Sequence, residues 1–276
     1  MAQVIGFYND KGGSAKTFTT INVAVGLAYR GKKVLVIDND PQGNTSYKFF
    51  PYYEDMKGLN DIIINNADIN DVIYPTKIDN LYLLPSNINL RRIGKKILES
   101  NSDREFLRVQ LTKIKSEFDY ILFDNNPSFE IFLRNLVYCC NWIVIPVNVD
   151  MNTMKGVDST VDEIRYTIAS TAVDLNTEFR ILLCMTGRTK ITREFAEALK
   201  IKYGEVVLDT TIRHQIGMAQ LQTTNDDYFA ILNALPHKEP EVYIDPESGA
   251  EKVKTFKTNL GTDYIDLVDE IERKLQ

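Results

Sequence analysis

The chain has 276 residues, 44% hydrophobic and 25% charged, which is enough apolar material for a full core. Its 14 Gly and 9 Pro are too few for a collagen-like, linker-dominated or largely disordered sequence. With 32 basic and 38 acidic side chains the net charge is −6, so no global positive field recruits nucleic acid and such a contact needs a local patch.

Ala2 to Tyr8 is a short apolar run, broken by Asn9-Asp10-Lys11-Gly12-Gly13. From Lys16 to Arg30, Phe18, Ile21, Ala24, Val25 and Ala28 recur at helical spacing, and Gly31 ends the run. Lys33 to Ile37 is then a near-continuous apolar strand of the kind buried on both faces of a parallel sheet. This strand, glycine loop, helix and strand make one βαβ unit. Further strands are expected at Leu81 to Leu84, Tyr120 to Phe123, Trp142 to Val147 and Arg180 to Met185.

The alternation predicts an α/β fold with a doubly wound, mostly parallel sheet and helices on both faces, as one domain covering residues 1–276. Between Phe50 and Leu90 the apolar patches Leu59 to Ile64 and Val72 to Ile78 read as short helices. Glu241 to Ile244 and Val253 to Phe256 flank turn chemistry at residues 245–249 and predict a β-hairpin. Asp263 to Leu275 sets Ile265, Val268, Ile271 and Leu275 on one face of a terminal helix with acidic residues opposite. No apolar run is long enough to span a membrane, and Cys139, Cys140 and Cys184 lack metal-ligand spacing, which fits a reducing, cytoplasmic setting.

The loop Lys11-Gly12-Gly13-Ser14-Ala15-Lys16-Thr17 lies between a strand and a helix, where backbone N–H groups and the helix N-terminus cradle phosphates. Lys16 would neutralise phosphate oxygens and Thr17 would ligate Mg²⁺. The generic pattern G-x-x-x-x-G-K-[ST] fails at both glycines, where Asp10 and Ala15 stand.

The stretch Asn9 to Thr17, followed by Val34 to Ser46 with its Asp38-Asn39-Asp40-Pro41-Gln42-Gly43-Asn44-Thr45-Ser46 string, resembles the ParA/Soj partition ATPases and their relative MinD, which carry a deviant phosphate loop KGGxGKT and a DxDPQGN string. The segments Phe118 to Asp124 with Pro127-Ser128, Val144 to Val147, and Met185 to Thr189 through Tyr203-Gly204 and Thr210 to Ala219 continue the likeness, which covers roughly residues 1–235 and resembles the short form without an N-terminal helix-turn-helix domain.

The resemblance implies an ATPase that binds ATP and Mg²⁺ through Lys11, Gly12, Gly13, Ser14, Ala15, Lys16, Thr17 and Phe18. Lys11 would reach the nucleotide of a second copy in an ATP-dependent homodimer. Asp40 would act on the attacking water, and Thr17, Asp38 and Asp124 would serve the metal. It also implies nonspecific DNA binding on the nucleoid and a centromere-binding, ParB-like partner, with no membrane attachment, because the C-terminal helix is acidic. Arg188 matches the family's DNA-binding arginine, within a basic cluster of Lys190, Arg193, Lys200 and Lys202; Arg213 is a further candidate.

Two departures stand out. Ala15 adds a Cβ where the backbone meets the phosphate, and Asn125-Asn126 is expected to alter the loop after Asp124. Two rivals remain: a MinD-like cargo-positioning ATPase, and a nucleotide-responsive DNA-binding regulator with little hydrolysis.

Overall fold

The structure, a computed structural model, describes residues 1–52, 56–86, 106–125, 130–149, 153–171, 175–187, 189–214, 231, 241–244, 251–254 and 259–275. In chain order the elements are β1 (Gln3–Phe7), α1 (Lys16–Tyr29), β2 (Val34–Asn39), α2 (Asn44–Phe49) and α3 (Leu59–Asn65). A 3₁₀ turn (Ile69–Val72), β3 (Tyr74–Pro75), β4 (Leu81–Leu84), α4 (Phe106–Thr112), β5 (Tyr120–Asn125) and α5 (Glu130–Cys139) follow. Then come β6 (Trp142–Asn148), α6 (Thr153–Ala169), β7 (Glu178–Thr186), α7 (Lys190–Tyr203) and β8 (Val207–Arg213). The hairpin strands β9 (Glu241–Ile244) and β10 (Glu251–Lys254) and the helix α8 (Asn259–Lys274) complete the series.

Eight strands form one sheet in the order β3-β4-β2-β5-β1-β6-β7-β8, parallel throughout except for the antiparallel edge pair β3 and β4. Side chains alternate across it: Leu35 and Ile37 of β2 enter one core, Val34 and Val36 the other. Both faces are covered, which is why the strands read as continuous apolar runs. Helices α4, α5 and α6 bury Leu107, Leu136 and Val161 on one face, while α1 and α8 bury Ile21 and Tyr264 on the other. Each fully buried Leu or Ile contributes roughly 2 kcal/mol.

Two glycines shape α1. Gly31, at φ 78°, takes the left-handed conformation that ends the helix. Gly26 sits in the helix interior, where glycine costs about 1 kcal/mol, because a Cβ there would lie 2.5 Å from Ile231 Cδ1 and 2.8 Å from Val268 Cγ2. That absent methyl lets α8 pack closely on α1.

Two expectations are corrected. The Val72 to Ile78 patch is not a helix: the 3₁₀ turn ends at Val72 and the chain extends into β3, because Pro75 lacks an N–H and pushes Tyr74 into the β region. The hairpin exists, but its second strand is Glu251–Lys254, paired Glu251 to Ile244, two residues earlier than expected. Residues 255–256, and the whole turn, lie outside the described residues.

Candidate functional site

Chain order and spatial order part company at β1, whose neighbours are β5 and β6. Such a switch point opens a crevice at the carboxyl ends of the strands. Register brings the acidic residues to one level there: Phe7 pairs with Asp124, and Asp124 with Asp38. The loop after β1 lies over this edge.

Asn9 organises the loop. Its Nδ2 donates to Pro146 O at 2.7 Å, and its Oδ1 accepts from the Lys11 amide at 2.9 Å. Asn148 Nδ2 donates to Gly13 O at 2.6 Å, and Thr160 Oγ1 to Asp10 Oδ1 at 2.9 Å. Strand β6 and helix α6 thus fix the loop's conformation before any ligand arrives. Sequence reasoning missed Asn9, Asn148 and Thr160, because each acts through a partner about 130 to 150 positions away along the chain.

The two loop lysines face opposite ways. Lys16 is buried, and its Nζ donates to Asn9 O (3.0 Å), Lys11 O (3.1 Å) and Ser14 Oγ (3.3 Å), all uncharged oxygens. Burial lowers its pKa, opposed at longer range by Asp124, Asp40 and Asp10. Lys11 has its backbone held and its side chain exposed, as are Gly12 and Gly13. The N–H groups of Lys16, Thr17 and Phe18 have no acceptor one turn back within α1, and no side chain caps the helix. Phe18's ring is core, 5.7 Å from that of Tyr264, so its backbone is what it offers the site. Ser14 is buried and Thr17 half-buried.

Ala15, the N-cap of α1, is held at φ 66° and ψ 19°. The left-handed region costs an L-residue with a Cβ about 1 kcal/mol or more, and alanine has no polar side chain to offset it. Met185, at φ 53° near the end of β7, is the other described residue of this kind that is neither Gly nor Asn. Strain of this sort collects at functional segments.

Asp38 and Asp124 are fully buried and side by side. Burial is the main cause raising both pKa values; Asp38 is raised further by Asp124's charge. Asp38 Oδ2 accepts from Ser46 N (2.8 Å) and Ser46 Oγ (2.6 Å), and its Oδ1 from Asp40 N (3.1 Å). Its oxygens therefore already hold the start of α2 and the turn before it. Asp124 Oδ2 accepts from Thr45 Oγ1 at 2.8 Å, whereas Oδ1 is buried and has no hydrogen-bond partner among the described residues. The Thr17 hydroxyl also favours the ionised Asp124. A hard divalent cation takes oxygen donors of this kind, so the residues present here fit magnesium. Asp40 is buried at the same edge, its Oδ1 accepting from Gln42 N at 2.9 Å.

Asn125 proves not to belong to the following loop. It is the last residue of β5, buried, accepting from Asn39 Nδ2 at 2.8 Å and donating to Phe7 O at 3.2 Å, so it ties three strands together under the site. Asn126 lies outside the described residues.

The basic cluster is thinner than its composition suggests. Arg188 lies outside the described residues. Lys200 pairs with Asp209 at 3.4 Å and Lys202 with Asp158 at 2.6 Å. Lys190, 88% exposed, pairs with Glu194 at 3.4 Å in the weak i,i+4 manner, and Arg193 is exposed beside it. Arg213 is committed to α8: its amide donates to Asp263 Oδ2 at 2.9 Å, and its guanidinium pairs with the same carboxylate.

A sequence profile for a family described as an AAA domain matches residues 2–181. The chain belongs to that family, as a ParA/MinD-type ATPase. Sporulation initiation inhibitor protein Soj of Bacillus subtilis (strain 168) is 28% identical over 272 residues, 98% of each chain. Among solved structures, a plasmid partition protein of Borrelia burgdorferi B31 bound to AMPPNP superposes with a TM-score of 0.74 at 20% identity, covering 99% of both chains. Cobyrinic acid a,c-diamide synthase of Mycobacterium smegmatis, with ADP and magnesium bound, gives 0.72 at 22% identity over 85% of this chain and 94% of its own. At these identities the structural likeness is one of fold. No helix of the ParA/MinD-type chain is long and apolar enough to cross a membrane, among the described residues.

Proposed function

We propose that the chain is a Mg²⁺-dependent ATPase of the partition type, a nucleotide-driven switch that dimerises on ATP, binds DNA without sequence preference and moves a plasmid or chromosomal cargo with a centromere-binding, ParB-like partner. The observation that carries this reading is the pair of lysines of opposite exposure on one fixed loop. Lys16 is inside, its ammonium held, among the described residues, by uncharged oxygens, and would exchange those weak partners for phosphate oxygens. Lys11 is outside, on a backbone pinned by Asn9 and Lys16, and is presented to the nucleotide of a second copy.

The loop and the α1 N-terminus would cradle the phosphates through the amides of residues 12–18, Thr17 and Asp124 would hold the metal, and Asp40 would orient the attacking water. Magnesium supplies charge neutralisation to the transferring phosphoryl group. Asp38 keeps the 40–46 segment in place. Lys190 and Arg193 supply phosphate contacts to DNA, doubled by dimerisation; Arg213 is left to the α8 seam. Soluble action in the cytoplasm, on the nucleoid, follows from this reading.

A second reading is favoured by Ala15: a nucleotide-responsive DNA-binding regulator whose strained loop turns over little. Phosphate release and DNA retardation, each with and without ATP and a small DNA-binding protein from a neighbouring gene, separate the two. The partition reading expects ATP-dependent, salt-sensitive retardation and hydrolysis that rises with DNA and partner. Retardation without phosphate release selects the regulator, and lipid co-sedimentation without retardation selects a MinD-like positioner.

A further inference from the structure

Two hydroxyls act on the buried Asp124 carboxylate: Thr17, at the nucleotide loop, and Thr45, which holds Oδ2 from α2. Its hydroxyl donates to Oδ2 at 2.8 Å across 79 positions of sequence, while Oδ1 is buried and has no hydrogen-bond partner among the described residues. Thr45 itself is fully buried in the first turn of α2, where Asp124 is the acceptor its hydroxyl finds. A carboxylate held by one oxygen cannot rotate freely about its terminal bond, so its second oxygen keeps a fixed direction.

The adjacent residue repeats the arrangement on the other carboxylate. Ser46 donates through its amide and its hydroxyl to Asp38 Oδ2, and its Oγ accepts from the amide of Ser86 at 2.9 Å, just beyond β4. The opening turn of α2 is therefore wired to the ends of β2 and β5 and to the segment after β4. Nothing in the spacing of the nucleotide motifs singles Thr45 out; the register of Asp38 with Asp124 does.

We infer that Thr45 is a positioning residue for magnesium: by holding Oδ2 it fixes the Asp124 carboxylate so that Oδ1 remains directed to the metal side of the nucleotide. This rests on the nucleotide-site reading above. Outer partners of metal ligands typically carry about 10–100-fold in metal affinity, which sets the size of the effect.

The experiment is a Mg²⁺ titration of a fluorescent ADP analogue bound to the full chain, for the parent, Thr45→Val and Thr45→Ser, with a chelator series at zero Mg²⁺. Chelated binding should be equal in all three, which also reports an intact fold. The Mg²⁺ concentration at half-effect should rise about tenfold or more in Thr45→Val and stay near the parent value in Thr45→Ser. Should Thr45→Val fail to fold, Thr45→Ala carries the same expectation. A valine variant that titrates like the parent, or a serine variant as impaired as valine, overturns the assignment while leaving the nucleotide site standing. A parent that binds no nucleotide overturns both.

Discussion

The strand-end site and the seam between α8 and the rest of the molecule both gather charge, under opposite rules. In the seam every charge named has a matched partner: Arg213 with Asp263, Arg30 with Asp269 and Glu272 at 2.6 Å each, and Glu270 with Lys274 at 2.8 Å and the amides of Asp209 and Thr210. At the site a buried ammonium rests on uncharged oxygens, two carboxylates are crowded together, and alanine sits in a left-handed conformation. Local and global preferences agree in the seam and conflict at the site. Conflict of that kind marks where a ligand completes the structure.

Mutations should break this contrast in opposite ways. The largest effect is expected from Lys16→Ala, which should cut affinity for ATP by about 100-fold or more through loss of charge-assisted phosphate contacts, yet leave the urea midpoint of the free protein nearly unchanged. Asp263→Ala should do the reverse. Removing a nearly buried carboxylate takes the acceptor from the Arg213 amide and the ion partner from its half-exposed guanidinium, costing about 2 kcal/mol in urea unfolding, with nucleotide binding retained in the folded fraction.

Glu270 sharpens the comparison through pH. Burial pushes its carboxyl upward, but Lys274 and the amides of Asp209 and Thr210 more than reverse this and hold it at about 2, against an ordinary 4.5. A depressed carboxylate contributes stability that is complete above pH 4.5 and fades as pH falls toward 2. Glu270→Gln should therefore lose about 3 kcal/mol near pH 7 and show a flatter acid limb, measured by urea unfolding across that window. The smallest effect is Ala15→Gly. Relief of left-handed strain is partly cancelled by glycine's greater freedom in the unfolded chain, leaving a gain of about 0.5 kcal/mol. A loss of stability instead would show that the loop is unstrained.

Much of the fold was legible because parallel strands buried on both faces are apolar runs, and helix α1 announces itself by spacing and by Gly31. β3 was not, since two residues at a sheet edge carry no period. At the site, the loop and the acidic strand ends were visible as strings, and the resemblance assigned their roles. Asn9, Thr45 and Ser46 stood in those strings without a role, and Asn148 stood outside them, because their meaning lies in partners brought near only by the sheet's strand order. The basic cluster reads differently in space than along the chain. Lys200 and Lys202 look like a patch in one dimension and are answered by Asp209 and Asp158 in three.

The measurement closest to the central claim is the mass in solution by light scattering at saturating Mg²⁺ and a slowly hydrolysed ATP analogue. Twice 31.6 kDa is expected for the parent and the single-chain mass for Lys11→Ala, with the parent and the variant both binding nucleotide. A parent that stays at 31.6 kDa, or a Lys11→Ala chain that pairs equally well, would contradict that claim.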